Sequence, residues 1–222
     1  LMDSIHVTPG VFSMYRASAL RAVGGFDAGN LTEDMEIALR LHDGGWRIEN
    51  ALDAVSYTLC PQGFRQLYRQ RLRWYRGALQ NTFRYRHMLF NRSYGNLGVF
   101  FLPASLLSVL VIIGVFAFLV HGYGALAAQS VWQYGLIDWD WAQLLGDFDL
   151  ARMFDAVPTT AALFSLIGFG MGAVILGESY RAAKLRGNRL GAALYLVLFP
   201  VLMMAFWAAA LAAEAVRAPR KW

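Results

Sequence analysis

One cysteine, six prolines and a thin supply of charge set the first limits on this 222-residue chain. With Cys60 alone, no intramolecular disulfide can form, and no cysteine-rich metal site is available. Cys60 precedes Pro61 at an expected strand end, where a thiol reads as a small buried hydrophobe rather than a reactive group. Charged residues make up 16% of the chain and hydrophobic ones 57%. The mean hydropathy of +0.39 is too apolar for an ordinary soluble domain. No basic start followed by an apolar core opens the chain, so no signal peptide is read there. It begins in mid-stride at Leu1-Met2-Asp3, which suggests the carboxyl-terminal part of a longer protein. No internal repeat or low-complexity tract appears.

The net charge of +5 sits beside apolar runs rather than beside a nucleic-acid-binding motif. A nucleic-acid partner is therefore not expected, and anionic headgroups or a nucleoside diphosphate suit the charge better. Leu97 to Val120, Val157 to Gly177 and Leu190 to Ala213 each read as a transmembrane span. The loop from His121 to about Ala156 is acidic, whereas Arg181, Lys184, Arg186 and Arg189 follow the second span. The bias of basic residues puts that basic segment and the preceding arginine-rich helix in the cytoplasm. Three spans then leave Arg217, Arg220 and Lys221 outside, against the same bias.

The first third of the chain alternates turn signals with short patterned runs. Ile5 to Tyr15 reads as strand, turn and strand around Thr8-Pro9-Gly10. Ala17 to Val23 reads as a helix stopped by Gly24-Gly25, and Asp34 to His42 as a helix stopped by Gly44-Gly45. Trp46 to Asn50 and Ala54 to Leu59 read as two further strands. Gln62 to about Phe90 is a long amphipathic helix rich in arginine and aromatic residues, the pattern of a helix lying in a membrane interface. Asn91 to Asn96 is a polar break.

Two motifs carry chemistry. Thr32-Glu33-Asp34 puts carboxylates in the first turn of a helix, where unpaired amides and the helix dipole stabilise them. That setting also explains the acids without any catalytic role. Gln70, Arg73 and Trp74 are spaced i, i+3, i+4, so an amide, a guanidinium and an indole share one helix face. Phe64, Leu67, Tyr68, Leu72, Tyr75, Leu79 and Phe83 form an apolar stripe on the other. A snorkelling arginine and an interfacial tryptophan would be the plain reading of that face.

Thr-Glu-Asp followed by Gln-x-x-Arg-Trp and then by apolar spans resembles the membrane-embedded family 2 glycosyltransferases, the synthases of cellulose, chitin, hyaluronan and poly-N-acetylglucosamine. The motifs cover the first half of the chain; the second half is similar in hydropathy only. The resemblance implies an α/β fold joined to a helical membrane region. Residues 1–62 would be the acceptor-side, carboxyl-terminal half of a GT-A catalytic domain. Residues 63–96 would be the interface helix, 97–213 the transmembrane region and 214–222 a basic tail. It implies an inverting transfer of sugar from a nucleotide-sugar donor to a growing polysaccharide at the cytoplasmic face of the plasma membrane, coupled to export. Sugar transfer to a polyprenyl phosphate or another lipid is the alternative, and a non-enzymatic membrane scaffold or transporter fragment the reading from a different class.

By the same resemblance Asp34 is the general base and Glu33 its support. Trp74, Gly10 and Thr32 line the acceptor, and Gln70 and Arg73 hold the nucleotide diphosphate. Gly10 serves equally as a plain tight turn. Mg²⁺ or Mn²⁺ is expected, with its ligands in an upstream half of the protein or an associated subunit. Asp138-Trp139-Asp140 has the letters of a metal motif, but lies in the acidic loop beyond the first span. Asp34 and Trp74 are expected to face one cavity.

Overall fold

The computed structural model describes residues 4–10, 12–51, 54, 56–136, 159–182 and 188–219. It contains six α-helices among these residues: α1 (Ala17–Ala22), α2 (Glu33–Asp43), α3 (Phe64–Arg84), α4 (Leu102–Gly135), α5 (Thr159–Ala182) and α6 (Arg189–Ala215). The chain divides into two compact units, residues 1–113 with 205–222, and residues 114–204.

Glycine pairs end the first two helices as the sequence suggests. After α2, the Gly45 amide donates to the His42 carbonyl and the Trp46 amide to that of Leu41. After α1, the Gly24 amide donates to Arg21 and that of Gly25 to Leu20. Both are paired closures in which a residue with positive φ, Gly45 at 75° and Gly24 at 84°, turns the chain back onto the last carbonyls.

The first unit is built around α2. One side of α2 puts Ile37 and Leu41 against Ala19 of α1, with Tyr15, Val23, Trp46 and Ile48 closing the edge. The other side puts Met35 and Leu39 into a cluster with Tyr85, Met88, Leu97 and Leu102, which joins the end of α3 to the start of α4. The link between those helices is tight. A Cβ on Gly98 would lie 2.4 Å from the Asn91 carbonyl oxygen and 2.6 Å from that of Met88, so only glycine fits where α4 begins. Leu97–Phe101 form a π-helical turn leading into α4.

The α/β expectation is overturned: among the described residues there is no strand. The described residues of 5–15, 46–50 and 54–59, each stretch read as strand, form no ladder. A strand exists only through a neighbour's amides and carbonyls, and here those groups go elsewhere. The Thr8 amide and hydroxyl both donate to the Asp34 carbonyl, at 3.4 and 3.0 Å, and a His42 ring nitrogen bonds the Ile5 carbonyl at 2.8 Å. No half of a GT-A sheet is present among the described residues. Cys60 is exposed rather than buried.

The segment from His121 to Gly135, expected as loop, continues α4 as helix. Residues 137–158, with the expected metal-like Asp138-Trp139-Asp140, lie outside the described residues. In the second unit α5 and α6 pack closely enough that a Cβ on Gly172 would lie 3.2 Å from a methyl of Leu196. Two stretches, Leu97–Gln133 and Leu190–Ala215, are long and apolar enough to cross a membrane.

Candidate functional site

The start of α2 and the middle of α3 form a polar seam. Thr32 precedes α2 and is buried. Its amide is held by the Asn30 side chain at 2.9 Å. Its hydroxyl does not cap α2; it accepts from the Asn81 amide at 3.0 Å. Asn30 and Asn81 also exchange two hydrogen bonds, at 2.8 and 3.2 Å, both ends being buried. Buried amides stabilise only when their partners are present, and this pair supplies its own.

Gly77 explains how α3 comes so near. A Cβ there would sit 2.3 Å from the Thr32 hydroxyl and 2.5 Å from its methyl. Glycine within a helix costs about 0.5–1 kcal/mol relative to alanine, and here it permits the contact. Gln70, Arg73, Gly77 and Asn81 fall at helical spacing, so the close approach lies on the side that carries the motif.

Arg73 bridges the two motifs. Its Nη1 donates to the Leu31 carbonyl at 2.8 Å and stands 4.0 Å from a Glu33 carboxylate oxygen. Glu33 is exposed, whereas Asp34 is partly buried. One Asp34 oxygen accepts from the Met35 amide at 2.8 Å. Burial raises the Asp34 carboxyl above its ordinary value; the Met35 amide opposes this, the Glu33 charge adds to it, and Arg73 opposes it. A raised carboxylate is a stronger proton acceptor than a free one. Gly10 lies beside it: a Cβ there would be 3.7 Å from the Asp34 carboxylate, in ordinary contact.

Gln70 has a buried amide oxygen without a hydrogen-bond partner. Leaving such an acceptor unmade costs about 1–3 kcal/mol, so a hydroxyl or N–H arriving there would be favoured. Trp74 is 37% exposed, and the Arg71 guanidinium lies 4.4 Å from the centre of its ring. One indole face is thereby occupied.

The motifs are brought together at Arg73. One cavity of this unit, of about 610 Å³, lies between Asp27, Asn30, Gln80, Phe83, Arg84 and Glu214. Another, of about 460 Å³, lies by Tyr15, Leu41 and Trp46. Neither is lined by Asp34, Gln70, Arg73 or Trp74. No three carboxylate, imidazole or thiol groups converge as metal ligands among the described residues.

Sequence reasoning missed Gly77, Asn81 and Glu36. Glu36 is fully buried, accepts from the Tyr85 hydroxyl at 2.7 Å, pairs with Arg40 and lies 3.7 Å from Arg84. Burial, and then the Glu36 bond, push the Tyr85 hydroxyl far above its ordinary range. The signals were an isolated glycine inside a helix and an acid within the buried run Met35–Leu39.

These features have a family. The model described as glycosyl transferase family group 2 matches residues 4–211, and the chain belongs to that family. It is 33% identical, over 78 residues, to a poly-beta-1,6-N-acetyl-D-glucosamine synthase of Staphylococcus aureus (strain COL) and to one of Staphylococcus epidermidis. Each match covers 35% of this chain and 19% of the relative, so the chain spans about a fifth of the length of these curated relatives. No solved structure matches.

Proposed function

We propose that this chain carries the acceptor side of an inverting glycosyltransferase site, which moves a sugar from a nucleotide-sugar donor to a growing polysaccharide at the cytoplasmic face of the inner membrane and feeds it to export. The observation that carries the reading is the Arg73–Leu31 hydrogen bond, which ties the Gln-x-x-Arg-Trp helix to the segment bearing Asp34. The names of the matched relatives make an N-acetylglucosaminyl donor the first to test.

In this reading Asp34 takes the proton from an acceptor hydroxyl. The freed oxygen attacks the anomeric carbon, the bond from that carbon to the diphosphate oxygen breaks, and the nucleoside diphosphate leaves with the electron pair. Arg73 uses one nitrogen on the Leu31 carbonyl; the rest of its guanidinium is offered to the diphosphate. Gln70 presents its unpartnered oxygen to a donor or acceptor hydroxyl. Trp74 presents its uncovered face to the apolar side of a pyranose ring. Glu33 helps hold Arg73, and Thr32 and Gly10 shape the approach. A donor-binding segment outside this chain completes the site and supplies any metal ligands. Residues 1–62 would belong to the catalytic domain, 63–96 to the interface helix and 97–213 to the membrane region.

The test is Asp34→Asn in the full-length protein. Removal of a general base should cost about 10²–10⁴-fold in transfer, with expression and donor binding retained. Unchanged turnover would remove Asp34 from that role, and label found only in a small chloroform-soluble product would point to a lipid acceptor.

A further inference from the structure

The carboxyl end of α6 is fastened to α3. Phe206 packs on Phe64 and Tyr68, with ring centres 6.1 and 5.7 Å apart, and Trp207 stacks on Tyr75 at 4.3 Å and 9°. Phe206, Trp207 and Ala210 are buried, although the rest of the described α6 is exposed or half-buried. Beyond them Arg76, only 7% exposed, donates from Nε to Glu214 at 2.5 Å and from Nη2 to the Ala218 carbonyl at 2.7 Å, with Nη1 3.4 Å from the Pro219 carbonyl. Gln80 donates to the same Glu214 oxygen at 2.9 Å. A buried guanidinium needs its counter-charge and its acceptors, and each of these partners comes from residues 214–219.

We infer that α6 returns the membrane region to its starting side, so that Glu214 and the tail to Pro219 lie on the same side of the membrane as α3 and the Asp34 segment. This rests on the reading of α4 and α6 as membrane-crossing helices. A hydrocarbon core is about 30 Å thick, whereas no bond in the Arg76 cluster exceeds 3.5 Å. An even number of crossings must therefore separate Asn96 from Glu214; the stretches Leu97–Gln133 and Leu190–Ala215 supply two, and α5 then does not complete a third. The distribution of basic residues predicts the reverse. Three spans, with Arg181 to Arg189 on the α3 side, put the tail opposite. The basic-residue rule is a bias over many proteins, whereas the Arg76 cluster is a set of specific contacts within one compact unit.

Cys60 and Val216 make the two predictions separable. Cys60 is exposed just ahead of α3, and Val216 is 75% exposed two residues past Glu214. Two single-cysteine forms of the full-length protein are compared, one keeping Cys60 and the other carrying Cys60→Ser with Val216→Cys. Each is treated with a membrane-impermeant maleimide in sealed vesicles of both orientations. The expected result is that both thiols label in the same vesicle orientation and are protected in the other. Labelling of the two in opposite orientations overturns the inference while leaving the membrane reading intact. Labelling of both without any dependence on orientation, together with release by alkaline carbonate, overturns the inference by removing the membrane reading beneath it.

Discussion

Two parts of the first unit, built from equally patterned sequence, have opposite fates. The α2–α3 seam is closed: Asn30, Thr32, Glu36 and Asn81 are buried, and each bonds another residue across the seam. Of the stretches read as strands, 5–15 and 46–50 pack on α2 through Thr8, Tyr15, Trp46 and Ile48, whereas the one around Tyr57 and Leu59 stays open, at 95% and 92% exposure. Alternating hydrophobicity creates a face, but a face becomes structure only when something covers it and a neighbour completes the ladder. The seam has both its sides within this chain. The stretch around Tyr57 and Leu59 does not find its cover among the described residues.

That contrast can be broken most forcefully at Glu36. Glu36→Ala leaves Arg40 and Tyr85 without their buried partner, and removing one member of a buried ion pair typically costs about 3–5 kcal/mol. A large drop in the thermal midpoint in detergent is expected; an unchanged midpoint would mean that the seam does not hold the unit. Asn81→Ala should cost less, about 1–3 kcal/mol, because it strands the Asn30 side chain rather than a charge. The same unfolding measurement ranks the two.

A pH series sharpens the comparison further. The folded protein holds the Asp34 proton more tightly than the unfolded chain does, because burial raises that carboxyl. Stability from this group is therefore present at low pH and lost as pH rises through the window above 3.8. Asp27 behaves oppositely. The Arg84 hydrogen bond, with help from the Gly29 amide, lowers it, so its contribution is lost as pH falls below 3.8. Asp43 does the same: partial burial raises it, but bonds from Tyr94 and His87 outweigh this and hold it low. Unfolding followed against pH in Asp34→Asn should lack the first component and keep the second. In transfer assays, the acid limb assigned to Asp34 should lie above 3.8. The smallest effect belongs to the open stretch: Leu59→Ser should change the stability of this chain by no more than about 0.5 kcal/mol. A larger loss would show that Leu59 is covered in the molecule tested.

What could be read beforehand was what lies close together in sequence. Thr-Glu-Asp, Gln-x-x-Arg-Trp and the two glycine-pair stops are each complete within a few residues. The seam was not legible, because Asn30 and Asn81 are 51 positions apart and nothing local announces their pairing. Nothing near Gly77 in the sequence announces its contact with Thr32. The strand readings failed for the converse reason: period-two patterning reports a preference for a half-buried surface, not the presence of a partner. The length of α4 was underestimated because His121, Gln129 and Gln133 break the hydropathy run, while the Ala-rich backbone around them suits a helix.

The central claim is that the close contact of Gly77 with Thr32 sets the Asp34 end of α2 against the Arg73 face of α3. Transfer by Gly77→Ala in the full-length protein tests it most directly. An added Cβ would stand 2.3 Å from the Thr32 hydroxyl, so the two helices must part to restore ordinary contact. A misplacement of about 1 Å can cost about 10²-fold in rate. The predicted result is a loss of turnover of that order in a protein that still folds, inserts and binds donor. Full turnover with the methyl in place would contradict the claim.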